Sequence, residues 1–204
     1  MQKRRWLGGA MLGALAGWGL LPALAAAQPG RKGATAAGPG PTLLTVSGRI
    51  GAGNRGAFDP ALDQLMGKQK LRFDKAHAFD FAAIAALPAM TIRPTLEYDG
   101  KPHELSGPLL MDVMKACGVQ ATERTAFFVR AIDGFAAHLP AAEATRRRYI
   151  VATHLDGRPM ALGGLGPLWT VYDADRFADM AARPLPDRFG SCPWATYHID
   201  VKET

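Results

Sequence analysis

Two aromatic side chains directly after a glycine-rich loop are the first candidates for binding chemistry in this chain. Residues 162–173 read LGGLGPLWTVYD and bring Trp169 and Tyr172 close behind the glycines. Glycines allow a backbone to approach a ligand closely, and aromatic rings offer apolar faces on which a ligand can stack. The same pattern also fits a turn that leads into a buried strand. The residues alone leave both interpretations open.

The residue pattern gives little support for phosphate binding by this loop, for catalysis or for metal binding. No lysine follows the glycines and no strand–loop–helix pattern surrounds them, which argues against a P-loop. Ser106 and Ser191 lack a nearby His–Asp pattern, and no carboxylate pair has a distinctive spacing. Cys117 and Cys192 occur without the spacing typical of metal ligands, and whether they pair is left open. The pattern favours a binding role over an enzymatic one.

The first 27 residues have the three parts of a secretory signal. Basic residues at 3–5 precede an apolar stretch over 6–24, and small residues end at Ala27. A membrane anchor is the alternative, although glycines and a proline interrupt the stretch. The signal holds three basic and no acidic residues, so its removal lowers the net charge from +6 to +3. A net charge of +3 gives no support for nucleic-acid binding. We predict an exported periplasmic protein, cleaved near Ala27, with the Sec and twin-arginine routes both open.

The rest of the chain divides into a leader and one domain. Residues 28–41 are rich in Gly, Pro and Ala and predict a flexible leader, and 42–204 have the length of one domain with a sizeable core. Short strands with scattered single helices favour an α+β fold over a doubly wound sheet. Strands are predicted within TLLTVSGRI, MTIRPTLEYDGKPHEL, TAFFVRAIDGFAAHLP, YIVATHLDGRPMALGGLGPLWTVYD and ATYHIDV.

Helix starts and stops are marked by capping residues. FDPALDQLMG predicts a helix capped by Asp59 and stopped at Gly67, and FDFAAIAALP predicts one capped by Asp80 and ended by Pro88. SGPLLMDVMKACGV has apolar residues at helical spacing, which places Cys117 on the buried face as a core thiol. The dense basic run at 146–148 follows another predicted helix and is expected to be its solvated end.

Several of these segments, in this order, resemble the sulfite-oxidase-fold, molybdopterin-binding family, and in particular its small single-domain bacterial members. The similarity covers residues 43–201, and its most specific feature is the order and spacing of GPLL, DGF and GPLW. The resemblance implies a mixed β fold with a cleft that holds a pterin. The segments that carry it are LTVSGRI, FDFAAIAALP, DGKPHELSGPLLMDVMKACGV, AIDGFAAHLP, LDGRPMALGGLGPLWTVYD and WATYHIDV.

Enzymes of that family hold molybdenum with a cysteine after the first helix, at the start of the pterin cleft. Here that segment, MTIRPTLEYDG, contains no cysteine, and runs of phosphate-binding residues are reduced to Arg93, Arg130 and Arg158. The resemblance therefore implies a metal-free relative, similar to exported pterin-binding proteins that act as sensory partners of membrane-bound cyclic-di-GMP enzymes. Two alternatives stay open: a molybdopterin-dependent oxidoreductase with Cys192 on the metal, and a partner-binding module whose cleft has closed.

A pterin implied by this resemblance, most simply a reduced one without molybdenum, selects a candidate ligand set. Trp169, Tyr172 and Trp194 would supply stacking faces. Asp133 would accept hydrogen bonds from the amino edge, and Arg93 would donate to the oxo edge. Each residue also has a structural interpretation. Trp169 could be core, Tyr172 could hydrogen-bond a neighbouring loop, and Trp194 could close one end of the sheet. Asp133 could be a turn residue, and Arg93 a surface residue before proline.

Overall fold

The computed structural model describes residues 39–204, so the predicted signal peptide and nearly all of the predicted leader lie outside the described residues. Short strands and short helices alternate irregularly in this part of the chain, which confirms the α+β class. The strands are β1 Leu44–Gly48, β2 Ala76–Phe79, β3 Ala89–Ile92, β4 Leu105–Pro108, β5 Thr125–Ala131, β6 Ala136–Pro140, β7 Ile150–Ala152, β8 His154–Leu155, β9 Arg158–Pro159, β10 Trp169–Val171 and β11 Thr196–Glu203. The helices are α1 Gln64–Lys68, α2 Phe81–Ala85, α3 Leu110–Ala116, α4 Ala141–Arg146 and α5 Ala178–Ala181.

The largest sheet has the order β2-β1-β11-β5-β6 and places the last strand of the chain at its centre. β11 runs parallel to β1 and antiparallel to β5. A register shift between Thr196 and His198 marks a bulge at the start of β11. Bulges change the direction of nearby side chains and are common beside functional sites. This one lies where β11 begins beside the end of β5.

Two smaller sheets complete the architecture. One has the order β3-β4-β8-β9, and the other pairs β7 with β10. Side chains of the large sheet, among them Val46, Phe127 and Ile199, pack in one buried cluster with Val113 of α3. Cys117 is buried at the end of α3, as predicted, and burial raises the pKa of its thiol to about 12. Within residues 39–204, no helix has the length and apolar character needed to cross a bilayer.

The two predicted capping aspartates behave differently. Asp80 caps α2 as predicted, and its carboxylate accepts a hydrogen bond from the Ala83 N–H at 2.7 Å. Asp59 instead accepts from the Ala61 N–H at 2.7 Å within a local turn. Because that turn satisfies its side chain, α1 begins only at Gln64 and runs through Gly67, so the predicted start and stop are both wrong.

The basic run after α4 is not a fully solvated helix end. The Arg147 side chain is only 8% exposed and forms ion pairs with Glu143 and, at 2.7 Å, with Asp179. Its guanidinium also donates to the Tyr172 hydroxyl at 3.2 Å and lies over the Phe177 ring. Arginine can be buried in this way because its flat head stacks on aromatic rings while donating several hydrogen bonds. The prediction of solvation is therefore wrong for Arg147.

We expect Arg147→Met to lower the free energy of unfolding by about 1 to 3 kcal/mol, because Asp179 loses its partner, Glu143 keeps only Arg146, and a stacked contact is removed. Urea unfolding of the purified protein measures this change. Arg146→Met is the matched control, since the Arg146 side chain is 53% exposed. The control should change stability by about 0.5 kcal/mol or less. Equal effects of the two substitutions would contradict the assigned role of Arg147.

Candidate functional site

A cavity of about 330 Å³ opens where the end of β5 meets the start of β11. Three separate segments form its wall: the loop after β3, the turn between β5 and β6, and the segment that leads into β11. Such a junction of loops on a rigid sheet is a common place for a binding site. The wall consists of Glu97, Tyr98, Ala131, Asp133, Phe135, Phe189, Gly190, Cys192, Pro193 and Trp194.

Aromatic side chains dominate this wall. Tyr98, Phe135 and Trp194 are 54%, 48% and 38% exposed, and all three line the same cavity. Exposed apolar surface gathered in one place marks an interaction site more often than scattered single residues do. Aromatic faces around a cavity of this size can hold a flat ring between them. The cavity therefore favours a flat, conjugated ligand.

Polar groups on the wall supply hydrogen-bond acceptors and a donor. Glu97 and Asp133 provide carboxylates, and one Asp133 oxygen accepts from the Phe135 N–H at 2.9 Å to hold the turn. Partial burial, reinforced by the charge of Glu97, raises the pKa of Tyr98 to about 12. The Tyr98 phenol therefore stays protonated at neutral pH and can donate a hydrogen bond. A ligand with N–H donors on one edge and an acceptor nearby would match these groups.

The segment that carries Trp194 is fixed from beneath. The Trp169 indole N–H donates to the Cys192 carbonyl at 2.9 Å, and its ring centroid lies 6.0 Å from that of Phe189. The Thr196 hydroxyl donates to the Pro193 carbonyl at 2.6 Å. These contacts hold both the backbone and one aromatic ring of the cavity wall. Trp169 thus supports the wall without forming part of it.

The predicted site residues separate into three groups. Asp133 and Trp194 meet on the cavity wall. Trp169 and Tyr172 are each 1% exposed, and the Tyr172 hydroxyl donates to the Arg188 carbonyl at 2.8 Å, so both lie in the core. Arg93 is exposed outside the wall, and its backbone N–H lies 3.4 Å from an Asp173 carboxylate oxygen. A ligand role for these last three residues remains only a prediction from the sequence.

Sequence reasoning missed Glu97, Tyr98 and Phe135 as wall residues. Glu97 and Tyr98 lie within MTIRPTLEYDG, the segment in which the resembling family carries its metal-binding cysteine. That position was a usable signal, because the resemblance predicts that this segment lies at the start of the cleft. Phe135 directly follows the predicted Asp133–Gly134 turn, and its exposure is visible only in three dimensions.

The glycine-rich stretch serves as scaffold for the same wall. Gly163 has a φ of +94°, a conformation that favours glycine, and a side chain at Gly166 would collide with Met160. The carbonyl of Leu165 accepts from the Ala195 N–H at 3.1 Å. The carbonyl of Leu168 likewise accepts from the Thr196 N–H at 2.9 Å. The loop therefore positions the segment around Trp194.

Cys192 lies at the cavity wall but is 4% exposed, and burial raises the pKa of its thiol to about 12. Cys117 and Cys192 are both free thiols in the structure. Within the described residues, no cluster of three or more His, Cys, Asp or Glu side chains has the arrangement of a metal site.

An ionic contact anchors the loop that carries Glu97 and Tyr98. His103 Nδ1 lies 2.7 Å from Asp156 and Nε2 lies 3.0 Å from Asp99. The hydrogen bond to Asp156, followed by that to Asp99, raises the pKa of His103. His103 in turn lowers the pKa of both carboxyl groups. This contact ties the loop to the hairpin formed by β8 and β9.

We expect this contact to stabilise the fold mainly between pH 3.8, the usual aspartate pKa, and pH 6.5, the usual histidine pKa. The raised pKa of His103 makes its contribution complete below pH 6.5 and lost as the pH rises through the raised value. The two carboxyl groups have lowered pKa values, so their contribution to stability is complete above pH 3.8 and is lost as the pH falls through the lowered values.

The melting temperatures of wild type and His103→Gln, followed across this pH range, measure the effect. Their difference should be largest at mildly acidic pH and should shrink at alkaline pH. His138→Gln is the control, because His138 is exposed and has no carboxylate partner among the described residues. A difference that grows as the pH rises would refute the assignment.

The fold and cavity define an α+β protein with a cavity lined by aromatic side chains and carboxylates. Comparison with models of known families and with curated proteins found no match for this chain.

Proposed function

We propose that this chain is an exported, non-catalytic pterin-binding protein of the sulfite-oxidase fold. Its ligand occupancy would be read by a membrane-bound cyclic-di-GMP signalling protein. The observation that supports ligand binding is the cavity, whose wall contains the exposed rings of Tyr98, Phe135 and Trp194 together with the carboxylates of Glu97 and Asp133.

The chemistry of a pterin matches this wall. A pterin is a flat bicycle, so its faces can stack on the exposed rings of Trp194 and Phe135. Its amino group and ring N–H are donors that suit Glu97 and Asp133, and its oxo group is an acceptor that suits the Tyr98 phenol. A volume of about 330 Å³ lies within the range of small-molecule sites.

Native mass spectrometry tests whether the protein binds a pterin. The protein is purified from the periplasm without oxygen, so that a reduced pterin is preserved, and its mass is compared before and after mild denaturation. We expect one pterin per chain, either retained or taken up from added dihydroneopterin. Failure both to retain and to take up a pterin would overturn the proposed ligand.

The second candidate is a molybdopterin-dependent oxidoreductase, favoured by one observation: Cys192 reaches the cavity wall. Metal coordination requires the thiolate, whereas burial raises the pKa of Cys192 to about 12 and keeps it protonated. Elemental analysis of the periplasmic protein separates the two functions. Stoichiometric molybdenum that is lost in Cys192→Ser would favour the enzyme.

The proposed signalling role rests on the family resemblance and on the predicted export signal. It can be tested by measuring cellular cyclic-di-GMP in strains that carry wild type, Trp194→Ala or no copy of the gene, and in a pterin-depleted strain that carries wild type. We expect Trp194→Ala, present at wild-type levels, to reproduce the signalling state of a pterin-depleted strain. Identical cyclic-di-GMP levels in all strains would contradict a sensory role.

A further inference from the structure

We propose that the cavity selects an unphosphorylated pterin and rejects ligands with a phosphate tail, with Glu97 and Asp133 as the residues that discriminate. The inference rests on the proposed function and specifies the ligand class of the same site. It goes beyond what the resemblance implies, because a resemblance to metal-free pterin-binding proteins leaves the phosphorylation of the pterin open, whereas the pyranopterin cofactor of the family's enzymes carries a phosphate or a dinucleotide.

The charge of the wall is the primary observation. Two carboxylates, Glu97 and Asp133, line the cavity from different loops. Among the residues that the structure describes, no lysine, arginine or histidine belongs to the wall. Phosphate groups in proteins are held by arginine, lysine or backbone N–H groups at helix ends. The described wall contains no such cationic group, and its net charge is negative.

The cationic side chain next in sequence to the wall residue Phe189 is engaged elsewhere. Arg188 directly precedes Phe189, but its guanidinium pairs with Asp175 at 2.8 Å and donates to the carbonyls of Ala181 and Arg183. It is therefore unavailable to a ligand phosphate without breaking three contacts.

The three arginines predicted as remnants of a phosphate site do not line the cavity either. Arg93 acts on Asp156, whose pKa it helps to lower. Arg130 precedes the wall residue Ala131 in β5, so its side chain leaves the opposite face of the strand, where its charge acts on His198. Arg158 is exposed in β9 and is not a wall residue.

A phosphate brought to this wall would meet like charge without compensation. Like charges placed together at a binding interface oppose association strongly, and this repulsion is the usual way in which a site rejects a related ligand. The amino edge of an unphosphorylated pterin instead meets the same carboxylates as hydrogen-bond acceptors. One pair of side chains therefore attracts the pterin ring and repels a phosphorylated tail.

Calorimetric titration of the full mature chain with dihydroneopterin and with dihydroneopterin triphosphate tests the inference. We expect the unphosphorylated probe to bind at least about tenfold more tightly at low salt. The ratio should fall toward one at high salt, because exposed charges are screened. Equal affinities at low salt would overturn the inference while leaving pterin binding intact. Binding of neither probe would overturn both proposals.

Substitution of the two carboxylates identifies the discriminating groups. In Glu97→Gln with Asp133→Asn, the shape and much of the hydrogen-bonding capacity are kept, so the affinity ratio should fall to about threefold or less. Asp112→Asn is the matched control, because Asp112 lies in the first turn of α3 and outside the wall. The control should keep the wild-type ratio. An unchanged ratio in the double variant would show that other groups discriminate.

Discussion

Replacing Trp194 by alanine is expected to weaken the binding of dihydroneopterin by about 5- to 150-fold while leaving the fold intact. Stacking of a base on an aromatic side chain contributes about 1 to 3 kcal/mol by alanine substitution, and a pterin presents a similar face. Trp194 is 38% exposed on the cavity wall, so part of its ring is available to a ligand. Titration calorimetry under anaerobic conditions gives the affinity, and urea unfolding gives the stability.

Two variants control for this substitution. Trp194→Phe keeps an aromatic face and should retain most of the affinity. Leu62→Ala removes a side chain that is 81% exposed and does not line this cavity, and it should leave affinity unchanged. If Trp194→Ala and Leu62→Ala bind the pterin equally well, the cavity is not the binding site.

Replacing Trp169 by alanine is expected to lower the free energy of unfolding by about 3 to 5 kcal/mol. The side chain is 1% exposed, packs beside Phe189 and donates to the Cys192 carbonyl at 2.9 Å. Its removal leaves both a void and an unpaired carbonyl. Urea unfolding measures the effect, with Trp194→Ala as the partner variant, which should change stability by only about 1 kcal/mol. A loss below about 1 kcal/mol for Trp169→Ala would contradict its place in the core.

Local capping and periodicity predicted much of the secondary structure. The α2 cap at Asp80 and the buried face of α3 followed from patterns that span only a few residues, and both are present in the structure. The Asp59 prediction failed because an aspartate can satisfy the backbone of its own turn instead of capping a helix. Sequence alone does not distinguish these two uses of the same residue.

The candidate site was only partly predictable, because exposure depends on what packs against a strand. Trp169 and Tyr172 follow a glycine-rich loop and resemble ligand-binding residues, yet β10 is buried along its whole length. Alternation cannot identify a ligand-facing side of such a strand. Tyr98 and Phe135 come from loops more than 30 residues apart, and only the tertiary fold brings them to one cavity.

Indole N–H resonances of the mature chain offer the most direct test of pterin binding at this cavity. Trp169 and Trp194 are the tryptophans that follow the predicted cleavage site, and Trp194→Phe assigns their two signals. Adding dihydroneopterin should shift the Trp194 signal strongly through the ring current of the stacked ligand, with a much smaller shift for Trp169. If saturating pterin moves neither signal, or moves Trp169 alone, the proposed binding at this cavity is wrong.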